Sequence, residues 1–465
     1  MIRVVGALFA LLAVWPCVGV ETEIWVQNEL ADFEKGTLKK LSVRSDGRLL
    51  LAPVFEQIVD TSIPYLWAIA GDGKGTLFVA GGGQGSTSAQ ILAIDATGKH
   101  RVYADVPGMQ VQALAVDRNG TLFAGTSPDG KVYRVTPGKA EVFYDPKAKY
   151  IWAMGFNSKG DLYVATGDGG EVHRVAPNGQ GSVFFRTEET HARSLAIDPK
   201  DNIIVGTEPS GLILRVAPNG EGFVVYQSAK REVTAVAVGK DGLIYAAAVG
   251  NRSGRSEPSQ LSVPPLPIPS ASIARPAGGA APTVATAQPT GPQPPGSQPA
   301  GAPVPGGSEF YRIESDGFPR KLWSHPQEII YAVGFDANGV PILATGNKGK
   351  LFRVDSENVW TLLIDAETTQ ITALHRTPDG RLYAATGNIG KVFRVGPGLE
   401  KTGSYESEAY DAGSFSYWGR VATKGAATIE TRSGNLERTS TNWSPWAPLN
   451  GDRIASPPAR FLQYR

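Results

Sequence analysis

The sequence predicts an all-β fold, a seven-bladed β-propeller built from four-stranded blades. A repeat of about 41 residues runs through most of the chain, and each copy divides by two-residue alternation into four short strands. The turn residue of the first hairpin recurs at Gly75, Gly120, Gly160, Asp201, Gly242, Gly339 and Gly380. Four strands per repeat of this length are typical of propeller blades, so these copies predict seven blades.

Residues 149–189 show the repeat most clearly. Alternating residues predict four strands there, at Tyr150–Phe156, Asp161–Thr166, Glu171–Ala176 and Ser182–Thr187. Each gap between them holds a glycine that permits a tight turn, as in Asn178-Gly179. One such sheet has two apolar faces and cannot bury both alone, so the copies must pack against one another.

A second sequence feature recurs in most copies: a glycine precedes the third strand, and an arginine follows it four residues later. These arginines share one strand position, at Arg134, Arg174, Arg215, Arg312, Arg353 and Arg394. Because the same residue recurs in equivalent places, we expect a structural tether between or along blades. The glycine-rich segments, such as Gly167–Gly170, resemble phosphate loops, but no helix follows them, so they predict hairpin turns.

The first 20 residues predict a secretory signal peptide, since Arg3 precedes an apolar run from Val4 to Val20. An uncleaved membrane anchor is the alternative. Cys17 is the only cysteine, so the mature chain would have no disulfide and no thiolate site. We therefore expect a periplasmic or extracellular monomer with no membrane span after cleavage. The net charge of +1 gives no electrostatic basis for binding nucleic acid.

Residues 21–403 are predicted to form the propeller. A short hairpin is expected within residues 38–51, and Phe55–Val59 predicts an outer strand that has no blade of its own. The seventh repeat lacks a clear fourth strand after Lys391–Val395. We expect Phe55–Val59 to complete this blade, because closing the ring removes two exposed strand edges.

Two segments fall outside the repeat. Residues 253–308, an insertion in blade five, are rich in proline, alanine and glycine and predict disorder, because they offer little apolar surface to bury. This insertion is either a neutral expansion of a surface loop or a functional segment that acts as a lid or as an arm for binding a partner. Residues 404–465 predict a β-rich tail, either an incomplete β-sandwich or a small fold of its own.

The candidate ligand site is the mouth, the end of the ring at which the innermost strands begin. Two aligned positions, two residues apart at the start of each innermost strand, vary from copy to copy. The residue between them is apolar in every copy and predicts packing between blades. Aromatic rings beside hydrogen-bonding groups suit a sugar, a peptide or a small polar ligand. The predicted ligand-binding residues are Tyr65, Trp67, Tyr150, Trp152, His191, Arg193, Glu232 and Tyr331.

Two alternatives remain open at the mouth. The aromatic side chains could only fill the ring, with the polar residues forming a solvated hydrogen-bond cluster. An enzyme could instead use Glu232 and His191 as acid and base groups, with Ca²⁺ or another divalent cation. The carboxylates expected near such a cation are Asp129, Asp168, Glu208 and Glu232, although turn formation and solubility are simpler roles for them.

The segment Asp379–Gly387, followed by Gly390–Val395, resembles secreted bacterial propellers of the NHL, YVTN and two-component-regulator group. The resemblance covers about residues 55–396 and implies ligand or protein binding in the periplasm or at the cell surface, without a fixed enzymatic activity. Trp443–Trp446 and Ala459–Tyr464 resemble a β-sandwich tail that follows such propellers. Gluconolactonases and streptogramin lyases share the architecture, but no motif of theirs beyond the repeats occurs here.

We therefore expect an exported, non-enzymatic binding or scaffold protein whose mouth binds a small polar ligand, a glycan or a protein, with no cofactor. The alternative is a metal-dependent, lactonase-like hydrolase or lyase that acts at the same mouth.

Overall fold

The computed structural model describes residues 22–83, 88–252, 306–366, 368–439 and 441–465. The chain divides into two compact units, one of residues 38–405 and the other of residues 22–37 with 406–465. The sequence assigned residues 21–403 to the propeller. In the structure, residues 22–37 group with the tail unit, where Trp25 stacks on Tyr410. The predicted signal peptide and residues 253–305 of the insertion lie outside the described residues.

The first elements are short. They are α1 (Leu30–Phe33), β1 (Thr37–Lys39), β2 (Leu41–Arg44), β3 (Leu49–Leu51) and β4 (Pro53–Asp60).

The repeats follow as sets of antiparallel strands. The strands of the first three sets are β5 (Tyr65–Gly71), β6 (Leu77–Gly82), β7 (Ser88–Ile94), β8 (His100–Pro107), β9 (Gln110–Val116), β10 (Leu122–Ser127), β11 (Val132–Thr136), β12 (Lys139–Tyr144), β13 (Tyr150–Phe156), β14 (Leu162–Gly167), β15 (Glu171–Val175) and β16 (Gly181–Arg186). Those of the next sets are β17 (His191–Ile197), β18 (Ile203–Glu208), β19 (Leu212–Val216), β20 (Gly222–Gln227), β21 (Lys230–Val238), β22 (Ile244–Asn251), β23 (Ser308–Ile313), β24 (Pro319–His325), β25 (Ile330–Phe335), β26 (Pro341–Thr345), β27 (Lys350–Ser356), β28 (Val359–Asp365), β29 (Gln370–Arg376), β30 (Leu382–Gly387) and β31 (Lys391–Leu399). The last strands are β32 (Ser404–Glu406), β33 (Tyr410–Ser416), β34 (Glu430–Gly434), β35 (Ala447–Pro448) and β36 (Ala459–Tyr464).

The set of residues 150–186 shows how closely the pattern predicted these strands. β13 has the predicted bounds, β15 ends one residue earlier than predicted, and β14 and β16 are each shifted by one residue. The insertion interrupts a hairpin, because β22 and β23 lie on either side of it and pair antiparallel.

The set that begins with β29 takes its outer strand from the other end of the repeat region. β31 pairs antiparallel with β4, and Phe55 lies opposite Val395. The two aromatic rings of Phe55 and Phe393 stack with their centroids 4.3 Å apart. β2 pairs with the outer edge of β28, so the β2–β3 hairpin extends that sheet.

The first strands of the sets lie next to one another. β5 contacts β9, β9 contacts β13, and the series continues through β17, β21 and β25 to β29, which contacts β5. We call these first strands the inner strands. The apolar residue that was expected to pack between blades is fully buried in each of them, at Leu66, Val111, Ile151, Ala192, Val233, Ile330 and Ile371.

Close packing between sets explains small residues in the second strands. Every residue of β10 and β14 is buried. At Gly125 in β10, a Cβ atom would lie 2.5 Å from Cγ2 of Ile151 in the next set, which is too close. The sets therefore meet through matched large and small side chains.

The hairpin between the second and third strands is tied down by a buried threonine. Thr166 Oγ1 donates a hydrogen bond to the carbonyl oxygen of Glu171, 3.0 Å away. In the same turn Gly170 has a φ of 56°, and a Cβ atom there would lie 2.1 Å from the carbonyl oxygen of Glu189. Glu189 belongs to the loop that leads to the next inner strand, so this hairpin and that loop lie at the same end of the sets. The glycine-rich segment is therefore a hairpin turn and not a phosphate loop.

The tail unit contains a four-stranded antiparallel sheet in the order β33, β36, β34, β35. Two guanidinium groups pack against Trp446. The guanidinium carbons of Arg432 and Arg465 lie 4.4 Å and 4.7 Å from its ring centroid. This sheet accounts for the β-rich character that the sequence predicted for residues 404–465.

Candidate ligand site at the mouth

Every inner strand carries a β-bulge at one of the two aligned mouth positions. In β5, Leu66 pairs with Gly81 and Ala68 pairs with Ala80, so Trp67 between them has no partner in β6. The equivalent bulge residues are Gln112, Trp152, Arg193, Thr234, Tyr331 and Thr372. A bulge turns a side chain away from the direction that strict alternation would give it. The variable mouth residues therefore share a backbone irregularity.

The glycine that ends or directly follows the second strand makes room for these side chains. At Gly167, a Cβ atom would lie 2.3 Å from Nε1 of Trp152 and 2.5 Å from Nδ1 of His191. At Gly346, it would lie 2.4 Å from Cε2 of Tyr331. Real Cβ contacts are longer than this, so the glycine of the repeated Thr-Gly pair reflects packing at the mouth.

Trp152 is the centre of a connected group of mouth residues. Tyr150 stacks on it with a centroid distance of 5.0 Å, and its indole N–H donates to Nδ1 of His191 at 3.2 Å. The guanidinium carbon of Arg193 lies 4.3 Å from the Trp152 ring centroid. Arg193 Nε in turn donates to Oε1 of Glu232 at 2.6 Å. The structure thus brings together five of the predicted ligand residues, and the Trp152 ring at their centre packs against the guanidinium group of Arg193.

The hydrogen bond from Trp152 defines the state of His191. An indole N–H can only donate, so Nδ1 of His191 must be the unprotonated acceptor and the neutral ring carries its proton on Nε2. Burial lowers the pKa of His191, and the positive charge of Arg193 lowers it further, while Glu232 acts in the opposite direction. The folded protein therefore favours the neutral imidazole.

A second ion pair lies beside this group. Glu208 faces His191 across the β17–β18 strand pair, and its Oε1 lies 2.8 Å from a terminal nitrogen of Arg231. Burial raises the pKa of Glu208, and the nearby charge of Glu232 raises it further, whereas Arg231 and Arg193 lower it. Each of the two glutamates at the mouth is therefore partly neutralised by its own arginine.

The remaining predicted aromatic residues belong to other sets. Tyr65 and Trp67 stack with their centroids 5.3 Å apart. Tyr331 is largely buried, and burial raises the pKa of its hydroxyl, with a smaller contribution from the charge of Glu232. Nε1 of Trp67 and Oε1 of Gln370 are buried without a hydrogen-bond partner among the residues that the structure covers. This side of the mouth therefore holds a donor and an acceptor that the described chain leaves unused.

The carboxylates considered as cation ligands are dispersed. Asp129 and Asp168 are exposed on hairpin turns, whereas Glu208 and Glu232 are ion-paired with arginines. Within the described ranges, no three His, Cys, Asp or Glu side chains are grouped so that they could hold a metal ion.

Two residues of the mouth were not found from the sequence. Lys149 places its ammonium group 5.2 Å from the Tyr150 ring centroid, and Arg231 pairs with Glu208. Gln370 stood at an aligned mouth position but was not among the predicted ligand-binding residues, and it has the unpaired oxygen described above. Lys149 and Arg231 each precede a predicted mouth residue by one position. Their position, where the chain passes from one set to the next, could have indicated them, but a search of alternate strand residues skips that position.

Several of the repeated arginines form contacts within their own sets, and Arg174 and Arg394 are examples. Nε of Arg174 donates to Asp161 at 2.9 Å, which joins the third strand of the set to the start of the second. Arg394 pairs with Glu56, which joins β31 to β4. These contacts hold strands together along a set and do not reach the mouth.

No family model and no curated protein matches this chain. Among solved structures, it is similar to a streptogramin B lyase, with 12% identity, a TM-score of 0.54 and coverage of 75% of this chain and 98% of that one. A catalytically inactive virginiamycin B lyase from Staphylococcus aureus, solved with quinupristin, gives 12% identity, a TM-score of 0.53 and coverage of 74% and 99%. The extracellular domain of a putative hybrid two-component system from B. thetaiotaomicron gives 11% identity and a TM-score of 0.51, over 90% of this chain and 57% of that one.

At such low identity these likenesses show the fold alone, and the fold is a β-propeller. The prediction of an all-β propeller is confirmed at this level. No helix in the described part of the chain has the length and apolar character needed to cross a membrane.

Proposed function

We propose that this chain is an exported, non-enzymatic binding or scaffold protein, and that the mouth of a seven-bladed propeller binds a small polar ligand, a glycan or a protein. The sets of strands and the continuous series of inner-strand contacts support seven blades closed by β4. The predicted signal peptide and the resemblance to secreted propellers support export.

The observation that carries the proposal is the arrangement of Arg193. Its guanidinium group lies over Trp152, and its Nε is bonded to Glu232, so the side chain is fixed from two sides. The side chain is nevertheless 26% exposed. A charged group that is held rigid and still faces solvent is well suited to recognition, because little side-chain entropy is lost when a ligand binds.

A catalytic role would require free acid and base groups. Glu232 is ion-paired with Arg193, and Nδ1 of His191, the nitrogen that could act as a base in the neutral ring, accepts from Trp152, so the two groups are engaged with separate partners rather than with each other. Resemblance to lyases concerns the fold only. We therefore retain binding as the function and treat turnover as a possible outcome of its test.

The test is a ligand screen with the protein expressed from residue 22. Thermal unfolding and calorimetry would be measured against glycans, short peptides and small polar molecules, and bound mixtures would be analysed for products by mass spectrometry. We expect a saturable ligand whose affinity falls at least about tenfold in Arg193→Ala, which corresponds to about 1.4 kcal/mol.

Arg215→Ala is the matched control, because Arg215 is an exposed arginine in β19 and lies outside the mouth. Binding that Arg193→Ala leaves unchanged would place the ligand elsewhere and contradict the proposal. Release of a product from any ligand would replace it with the enzymatic alternative.

A further inference from the structure

In the part of the chain that the structure describes, the terminal nitrogens of Arg193 have no hydrogen-bond partner. Nε donates to Glu232, and the guanidinium carbon lies 4.3 Å from the Trp152 ring centroid, but neither terminal nitrogen donates to any residue that the structure describes. The guanidinium group has five N–H donors in a fixed fork, and the edge formed by its two terminal nitrogens matches the two oxygens of a carboxylate. This edge is therefore oriented and free.

His191 provides another donor beside this edge. With Nδ1 accepting from Trp152, the proton of the neutral ring lies on Nε2, and no described side chain accepts it. His191 and Arg193 both contact the same indole, so the two side chains lie close to one another at the mouth.

The surrounding charges favour a ligand with a single negative charge. Glu208 and Glu232 are each paired with an arginine, so the group has no excess of positive charge that would require a highly charged anion. Lys149, over the ring of Tyr150, adds one cation at the edge of the group, and Asp168 adds a carboxylate whose charge acts on Lys149 and His191. A polyanion would meet both glutamates, whereas a single carboxylate can bind to the Arg193 edge alone.

We infer that the mouth binds a small ligand through a carboxylate group, held by the two terminal nitrogens of Arg193 with His191 Nε2 as an additional donor. The inference rests on the proposed binding function and specifies its ligand class. Arg193 is the specificity-determining residue, because a lysine ammonium group cannot form two parallel hydrogen bonds in a plane. Trp152 and Glu232 are positioning residues, since they act by holding Arg193.

The test compares carboxylates with their neutral analogues by calorimetry on the protein expressed from residue 22. Galacturonate is paired with galactose, and N-acetylglycine with N-acetylglycinamide, which distinguishes an acidic sugar from a peptide terminus as the source of the carboxylate. We expect one carboxylate to bind at least about tenfold more tightly than its neutral partner.

The variants address the role of each donor. Arg193→Lys keeps the charge but lacks the two terminal nitrogens, so it should reduce the preference for the carboxylate, while any weak binding of the neutral analogue is unchanged. His191→Gln should weaken the carboxylate a few-fold. Arg215→Lys is the control and should change neither affinity, and equal unfolding temperatures would show that the variants remain folded.

Three results would overturn the inference. They are equal affinity for a carboxylate and its neutral analogue, an unchanged preference in Arg193→Lys, and no saturable binding of either carboxylate up to about 10 mM, a concentration that covers even weak recognition of fragments. In each case a neutral ligand from the wider screen that still depends on Arg193 would preserve the proposed function. If no ligand depends on Arg193, both proposals fail.

Discussion

Trp152 shows how the side chains at the mouth contact one another. Its indole N–H is bonded to His191, and its ring lies against Tyr150 and Arg193. A tryptophan in a variable position suggested a stacking platform for a ligand. The structure shows that its side chain contacts polar neighbours, and our proposal therefore assigns recognition to Arg193.

Gly167→Ala should destabilise the fold, because the new Cβ would lie 2.3 Å from Trp152 and 2.5 Å from His191. Overpacking of this kind costs about 1–3 kcal/mol. Chemical denaturation would measure the loss in the free energy of unfolding. Gly419→Ala is the control, since a Cβ there has no neighbour within 4 Å, and it should have almost no effect. Equal stability of the two variants would contradict the packing described at the mouth.

His191 should make stability depend on pH. Burial and the charge of Arg193 lower its pKa in the folded state, while Glu232 and Asp168 oppose this and Arg231 adds to it. Because the folded state favours the neutral ring, this contribution is complete above the ordinary histidine pKa of about 6.5 and is lost as the pH falls through the lowered value.

We therefore expect the wild type to lose more stability than His191→Gln between about pH 7.5 and about pH 5.5. Thermal unfolding at the two pH values would measure the difference. Glutamine does not titrate and can still accept the hydrogen bond from Trp152, and the remaining histidines are common to both proteins. Parallel pH profiles would show that His191 does not titrate as described.

At the scale of elements, the hairpin between the second and third strands depends on one hydroxyl group in several sets. The corresponding threonines are all buried and bond to the backbone five residues further on, at Thr126, Thr166, Thr207, Thr345 and Thr386. This hairpin lies at the same end as the mouth. The threonine thus helps to fix the strand ends that carry the mouth residues.

Thr166→Val should reduce the free energy of unfolding by about 1 kcal/mol or somewhat more, because the variant keeps the volume but leaves the Glu171 carbonyl without its hydroxyl donor. Thr136→Val is the matched control, since Thr136 is an exposed strand residue, and it should be nearly neutral. Denaturant midpoints would compare the two. A loss no larger than that of the control would mean that the turn forms without the hydroxyl.

At the scale of the whole molecule, the pairing of β4 with β31 joins segments that lie far apart in the sequence. Glu56 lies opposite Arg394 in this pair, and their side chains form an ion pair. This junction is what the proposed closed ring requires, because it provides the outer strand of the last set and covers the edge of β31.

The junction can be tested with cysteines, since Cys17 is the only native one and is absent from protein expressed from residue 22. Glu56→Cys combined with Arg394→Cys should form an intramolecular disulfide on oxidation and stabilise the protein, typically by about 2–4 kcal/mol. Mobility in non-reducing gels would detect it. Glu56→Cys combined with Arg353→Cys should remain unlinked, and equal behaviour of the two pairs would contradict the pairing of β4 with β31.

Local chemistry accounts for what the sequence determined alone. The two-residue alternation and the turn glycines placed strands such as β13 to within about one residue, because strand and turn preferences depend on neighbouring residues. The repeat also aligned the mouth positions and singled out Phe55–Val59 as a strand that needed a partner. The number of blades, the export of the protein and the ligand remain predictions.

Only the tertiary structure decided how the mouth residues are used. Alternation could not reveal that Trp67 and Trp152 are bulge residues, since a bulge is defined by the partner strand. It also could not pair Arg193 with Glu232 or Trp152 with His191, because these residues come from different sets. Such contacts depend on how the sets pack together, and their distances in space are not encoded in the spacing of the residues along the chain.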